Sequence, residues 1–391
     1  MKIFIIAGED SGDKLGSAIM DSLIAATDDS LNFVGIGGNG MTSRGLRSLF
    51  PMSELSVMGL IEIASQYTKL KKRIDQTVCS ILEEKPDILL TIDAPEFCFR
   101  VAKKVKLVNR NIPIAHYVAP SVWAWRPGRA KKISSFIDHV LALFPFEPPY
   151  FQNVGINCDF VGHPIASEKL ADENSIIEFK NEYSITDEPV ILCLPGSRKS
   201  EIDRLMQVFG KTLDKFSNIL PNARFILSST PDVYEYSKIY LGRMPKDIVF
   251  LTPEKFGLEK YLRFKKASFK ISHLALAASG TVSLELAANN TPMVIGYDMN
   301  FLSRQIVGYM LKTDTVNLVN LITGNRSVPE CIGSNFKSEK LFLEMVRVYS
   351  NSRNQIKDFE LAMELLGISD EPPNVKAANS LLSFCETFKM V

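Results

Sequence analysis

The chain has 391 residues, 46% of them hydrophobic, and sets 45 lysines and arginines against 44 aspartates and glutamates for a formal net charge of +1. That length exceeds what one core usually serves, so two domains are expected, and the even charge excludes an acidic tail or a general surface for nucleic acid. The six cysteines are scattered, with no CxxC pair and no Cys/His cluster of zinc spacing, and read as reduced cytosolic thiols rather than a disulfide framework or a metal site.

The N-terminus enters a strand at once and turns acidic at Glu9, before the apolar core of a signal peptide is complete. No uninterrupted apolar run is long enough to span a bilayer, so the expectation is a cytoplasmic protein, neither secreted nor membrane-spanning, that can still lie on a membrane. Short apolar runs ending in Gly, Pro or Asp then alternate with amphipathic segments, the pattern of βαβ units in a parallel sheet. Strands are predicted over residues 3–7, 33–36, 88–92, 112–118, 140–143 and 160–161, followed by a polar linker at 171–188. The pattern restarts with strands over 190–193, 225–227, 248–251, 274–278 and 293–296, and a Pro-Pro pair at 372–373 precedes a last helical segment at 374–388. The fold class read from this restart is α/β with two Rossmann-like domains, residues 1–168 and 169–373, and a cleft between them.

Ligands of open parallel sheets sit beyond the carboxyl ends of the strands, so the residues just after each strand carry the functional weight. After the first come Gly8-Glu9-Asp10-Ser11-Gly12-Asp13, whose three carboxylates oppose a phosphate and suit sugar hydroxyls. The other reading is a helix start, with Ser11 or Asp13 as the cap. Residues 35–40 match GxGxxG, but they follow the second strand and lack the acidic partner about 20 positions on, so no dinucleotide site is expected. Val57, Met58, Leu60 and Ile61 run into Lys69, Lys71, Lys72 and Arg73. That is the composition of an interfacial membrane contact, or of an amphipathic helix with a solvated basic end.

Asp93 ends an apolar strand and Ala94-Pro95 forces an extended exit, which suits either a general base or a carboxylate that satisfies loop N–H groups. His116, one strand over, is the rival base or a scaffold histidine. Ser121, Trp123, Trp125 and Arg126 share one loop that holds both tryptophans of the chain; it reads as a phosphosugar site or as interface packing. In the second half the turn Leu194-Pro195-Gly196-Ser197-Arg198 offers backbone N–H groups, a hydroxyl and a planar cation to an anion. Ser279, Gly280 and Thr281 can cradle a diphosphate and Glu285 can accept ribose hydroxyls, with Tyr297 at the end of the next strand; Ser-Gly-Thr is also a common helix entry.

The strings GEDSGD (8–13), VMGLIEI (57–63), IDAPEF (92–97), HYVAPSVWAWR (116–126), LFPFE (143–147), VGHP (161–164), LPGSRKSEI (194–202), ASGTVSLE (278–285) and KTD followed by VNLVN (312–320) span most of the chain. Together they resemble the lipid-A-disaccharide synthase family. Asp10, Glu96, Cys98 and Val319 depart from its usual residues. The resemblance implies an inverting glycosyltransferase of the GT-B architecture, whose last helix, here about 374–391, crosses back to the N-terminal domain. Its substrates would be UDP-2,3-diacylglucosamine and 2,3-diacylglucosamine 1-phosphate, used at the cytoplasmic face of the inner membrane, where Val57, Met58, Leu60 and Ile61 would meet the lipid. Asp93 would be the base, with Glu9, Ser11 and Asp13 placing the sugars and His116, Ser121, Trp123, Trp125 and Arg126 holding the acceptor. Gly196, Ser197, Arg198, Ser279, Gly280, Thr281, Glu285, Tyr297 and Asn320 would hold the nucleotide, with no metal and no cofactor. Whether the chain forms a homodimer stays open. The rival readings are another UDP-sugar enzyme, such as an N-acetylglucosaminyltransferase or epimerase, and a non-catalytic lipid-binding protein.

Overall fold

A computed structural model describes residues 1–27, 30–56, 63–123, 128–231, 233–298, 314–368 and 371–389, the side chains of 56, 63–67 and 389 excepted. Among these residues the chain forms two units, Met1–Ser167 with Leu366–Val391, and Glu168–Leu365. In the first, the strands are β1 (Lys2–Ala7), β2 (Asn32–Ile36), β3 (Arg47–Ser48), β4 (Ile88–Ile92), β5 (Ile114–Tyr117), β6 (His139–Ala142) and β7 (Asn157–Phe160). All pair in parallel, in the order β3-β2-β1-β4-β5-β6-β7. Central strands β1 and β4 are buried on both faces because helices cover the sheet, which is why they read as continuous apolar runs. The edge strand β7 alternates between buried and open positions, so its apolar signal is carried only by its end and the strand begins three residues before the predicted one.

The last helix, Pro373–Lys389, belongs to this first unit. Ala377, Ala378 and Leu381 are buried, and Asn374 Nδ2 donates to Ser22 Oγ (2.7 Å) on the helix Asp10–Ala26. Ser380 Oγ donates to Asp159 Oδ2 (2.6 Å) and lies 2.8 Å from His139 Nε2, while Phe384 stacks on the His139 ring at 4.7 Å.

The second unit repeats the plan with β8 (Val190–Leu194), β9 (Arg224–Ser228), β10 (Val249–Leu251), β11 (Leu274–Ala277), β12 (Met293–Tyr297) and β13 (Glu330–Ile332), parallel in the order β10-β9-β8-β11-β12-β13. Its core gathers Ile191, Cys193, Leu205, Phe209, Phe216, Leu276 and Val294. The stretch expected to be a linker is instead a helix, Glu173–Glu182, capped by the Asp172 side chain on Ser175 N at 2.7 Å. One buried aromatic, Phe179, fixes it by packing edge-on to Phe264 at 5.2 Å, and ion pairs from Glu178 to Lys260 and Arg263 hold its polar face. The helix is mostly polar because only one side meets the unit.

Candidate active site

In each sheet the strand order reverses once, between β1 and β4 and between β8 and β11, the position where such folds bind ligands. At the first switch point the loops after β1 and β4 touch. A Cβ on Gly8 would stand 2.6 Å from the Ala94 Cβ, so the close approach requires glycine there. Asp93 (φ +48°), Ala94 (φ +42°) and, after β5, Val118 (φ +77°) all occupy the left-handed region. Non-glycine residues, a β-branched one above all, pay roughly 1–3 kcal/mol each for this, and such strain concentrates at functional sites. The neighbouring strands hold it in place: Asp93 N donates to Tyr117 O (3.0 Å) and Val118 N to Leu141 O (3.1 Å). Burial raises the Asp93 carboxyl above the ordinary carboxylate range, and a hydrogen bond from the Ala94 backbone offsets this only in part. Glu9 and Ser11 stand exposed on the adjoining loop and first helical turn.

Other expected site residues turn inward. Asp13 is buried, and its carboxylate accepts hydrogen bonds from the backbone N–H groups of Gly38 (2.8 Å), Met41 (3.1 Å) and Gly40 (2.8 Å). It therefore does not place a sugar; it fills the anion cradle of the GxGxxG loop, and a Cβ on Gly38 or Gly40 would press on that carboxylate at 2.7 or 2.9 Å. His116 is 1% exposed, with Nδ1 2.8 Å from Thr91 Oγ1 and its ring 4.7 Å from Phe99. Burial, helped by the Arg129 charge, lowers its pKa to about 3, so it is a neutral scaffold residue that cannot reach an acceptor. Trp123 is tied down by its indole N–H to Glu147 Oε1 (3.2 Å) and packs edge-on to Phe146 at 5.3 Å. Glu147 is itself buried, accepts from Leu143 N and Phe144 N, and has its carboxyl pushed up to about 7 by desolvation. Ser121 is exposed, whereas Trp125 and Arg126, like Val57, Met58, Leu60 and Ile61, lie outside the described residues.

At the second switch point a cavity of about 360 Å3 is lined by Gly196, Ser197, Arg198, Ser279, Gly280, Thr281 and Glu285. The turn after β8 differs from its expected form in one respect. Its N–H groups are not free: Glu201 accepts from Ser197 N (2.9 Å), Arg198 N (3.3 Å) and Arg198 Nη1 (3.1 Å). Gly196, at φ +107°, leaves room for this carboxylate, which a Cβ would strike. The Arg198 side chain remains 75% exposed and available to an anion. Ser279 Oγ donates to Val316 O (3.2 Å), and Thr281 is exposed.

Sequence reasoning missed the loop after β9 and one lysine. Ser228 and Thr230 line the cavity, and Thr230 Oγ1 is shielded from water with no hydrogen-bond partner among the described residues, so a ligand is the natural source of its hydrogen bond. Between them Ser229 O accepts from the Tyr261 hydroxyl, and Ser229 Oγ donates to Ser237 Oγ (2.9 Å), so the loop is anchored on both sides. Lys265 lines the same cavity with Nζ 2.9 Å from Glu285 Oε2. Its sequence signal was its place four residues after Tyr261 and four before Phe269, both buried, on a helix otherwise rich in exposed charge.

Two expected nucleotide ligands are scaffold instead. Asn320, 1% exposed, donates through Nδ2 to Val328 O (2.9 Å) and Glu330 Oε2 (3.2 Å) and accepts from Val328 N (3.1 Å). Its amide is spent on Val328 and Glu330, which follow it, while Glu330 gathers the preceding loop through Val316 N and Asn317 N. Tyr297 does not line the cavity; its hydroxyl is 3.5 Å from Glu201 Oε1, behind the turn.

The family model for lipid-A-disaccharide synthetase matches residues 3–372. Lipid-A-disaccharide synthase of Ruegeria pomeroyi is 45% identical over 98% of this chain and 95% of its own length, and that of Rhodospirillum centenum is 40% identical over 97% and 94%. The enzyme of the same name from Rickettsia typhi is 37% identical over 96% of this chain and 97% of its own. In fold alone, the chain is similar to UDP-GlcNAc 2-epimerase of Neisseria meningitidis, solved with UDP-GlcNAc bound (TM-score 0.63, 13% identity, all of both chains covered). It is similar in the same way to a glycosyltransferase of Rickettsia africae (TM-score 0.57, 12% identity, 99% and 98% covered). The two parallel α/β sheets are thus of the GT-B kind, and the chain belongs to the lipid-A-disaccharide synthetase family, glycosyltransferases of lipid A biosynthesis.

Proposed function

We propose that the chain moves the 2,3-diacylglucosamine of UDP-2,3-diacylglucosamine onto the 6-hydroxyl of 2,3-diacylglucosamine 1-phosphate. The products are the β-1,6-linked disaccharide 1-phosphate and UDP. The acceptor oxygen gives its proton to Asp93 and bonds to the donor anomeric carbon while the bond from that carbon to the diphosphate breaks, the electron pair leaving with UDP and the configuration inverting. Glu9 and Ser11 meet the sugar hydroxyls. In the second unit, Arg198 faces the diphosphate, Ser197 and Thr281 add hydroxyl donors, and Glu285 accepts the ribose hydroxyls. The observation that carries this reading is Asp93: a desolvated carboxylate in strained backbone at one switch point, in a chain whose other switch point holds a polar cavity.

The test is UDP release from the acylated donor and acceptor in mixed micelles, with UDP-GlcNAc as the parallel donor. A tetraacyl disaccharide formed only from the acylated pair supports the reading. UDP binding without product from either donor would remove it in favour of a binding role.

The acylated substrates give a reason for membrane contact, and no described helix is long and apolar enough to cross a bilayer. We place the contact at Val57, Met58, Leu60 and Ile61, beside a basic cluster of which Arg73 and Lys69 are paired with Glu54 (2.7 and 3.2 Å) and Lys71 and Lys72 carry the surplus charge. Replacing the four apolar residues by Ser removes at least ~4 kcal/mol of apolar transfer energy. Sedimentation with anionic vesicles should therefore fall more than tenfold, and unchanged sedimentation would assign the segment to the core.

A further inference from the structure

Glu285 presents a physical difficulty. A carboxylate that accepts ribose hydroxyls stands near a diphosphate of the same sign, and in a cavity partly closed to water that repulsion is poorly screened. Lys265 answers it. The ammonium lies 2.9 Å from Glu285 Oε2, both side chains are partly buried, and both line the cavity. Burial works against the Lys265 charge, yet Glu285 outweighs it and holds the pKa above the usual lysine value, so the ammonium stays charged at neutral pH. The lysine is itself fixed, since its ammonium sits 5.2 Å from the Phe269 ring centroid on one helix that also carries Tyr261, the anchor of the Ser228 to Thr230 loop. From the other side, Asn289 Nδ2 donates to Glu285 O (2.8 Å) and fixes the backbone that carries the carboxylate.

We infer that Lys265 is a positioning residue for the nucleotide, neutralising the Glu285 carboxylate and fixing its orientation so that it accepts ribose hydroxyls beside the diphosphate. This rests on the ribose reading of Glu285 given above. Lys265 then touches neither the reacting carbon nor the acceptor, and its effect belongs to donor binding rather than to the chemical step.

The test compares UDP with 2′-deoxy-UDP by calorimetric titration of the full chain. Loss of one hydroxyl from a charged acceptor weakens binding by roughly tenfold or more in the unaltered protein. Glu285→Gln removes most of that discrimination if the ribose reading holds. Lys265→Met is then expected to reduce the UDP to 2′-deoxy-UDP ratio to about twofold and to raise the donor KM about tenfold with kcat nearly unchanged, the signature of lost uniform binding. Lys265→Arg, which keeps the charge, should recover most of the ratio. Should Met at 265 prevent folding, Lys265→Gln carries the same comparison. If Glu285→Gln abolishes discrimination and the folded Lys265 variants retain it, the positioning role is overturned while the ribose reading stands. If Glu285→Gln leaves discrimination intact, the ribose reading fails, and the role of Lys265 fails with it.

Discussion

Asp93→Asn is expected to lower kcat by about a thousandfold while the Kd for UDP stays within a factor of two, because a positioned general base contributes 10²- to 10⁴-fold and the amide cannot take the proton. Asn tolerates the left-handed backbone at φ +48°, so the strained loop and its contact with Gly8 should survive the change. The pH dependence supplies a second readout. The ionised carboxylate is the active form, and burial raises the pKa, so the base is complete only above the ordinary carboxylate range. Accordingly kcat/KM should fall with decreasing pH through an acid limb displaced upward, and that limb should vanish from the residual rate of the Asn variant. Equal losses of UDP affinity and turnover would undo the assignment, since the proposed UDP site is the other switch point. His116 does not compete for the role. It is neutral and buried on β5 against Thr91 and Phe99, so His116→Asn should change stability and leave the acid limb where it is.

What the sequence reveals of this fold follows from burial. Strands β1, β4, β8 and β11 are covered on both faces, so apolar residues dominate them and each reads as a nearly continuous run, the buried Thr91 of β4 being tolerated because its hydroxyl is hydrogen-bonded. Strand β3 has two residues and β13 has three, and both lie at sheet edges where pairing rather than composition defines them. The helix Glu173–Glu182 was hidden for a related reason, since a helix that rests on one phenylalanine looks like a polar linker. The site divides along a different line. Strand-end positions are legible as a set, but chemistry alone does not tell a carboxylate aimed at substrate from one aimed at backbone. Asp93 and Asp13 both lie in matched motifs beside glycine or proline at a strand end, yet one sits at the switch point and the other faces three N–H groups. Asn320 and Trp123 show the same ambiguity, settled by Glu330 and Glu147, which only the fold brings against them. Lys265 was obscured because a lysine on a charged helix reads as a solvated face until Glu285, twenty residues on, is brought against it.

Asp13→Ala is expected to cost about 4 kcal/mol of stability, with little effect on UDP affinity. Each N–H left without its acceptor costs roughly 1–3 kcal/mol when buried, and three lose theirs together, partly relieved by water at Gly38 and Gly40. Against a total stability of 5–15 kcal/mol that loss is large, and at about 2–4 °C per kcal/mol for a unit of this size the melting temperature should drop by roughly 10 °C. Hydrogen exchange locates the effect: the amides of Gly38, Gly40 and Met41 should lose protection first, while those of β8 and β11 in the other unit keep theirs. Asp13→Asn should fall between, because one oxygen can still accept while the new NH2 opposes a donor. The loop also explains its own glycines. The GxGxxG spacing that elsewhere brings backbone close to a pyrophosphate here brings it close to a side-chain carboxylate, so the same nest is filled from within and needs no ligand. A variant that kept full stability yet lost turnover a thousandfold would return Asp13 to the substrate, and with it the view that the segment Gly8 to Asp13 reads sugar hydroxyls through its three acids.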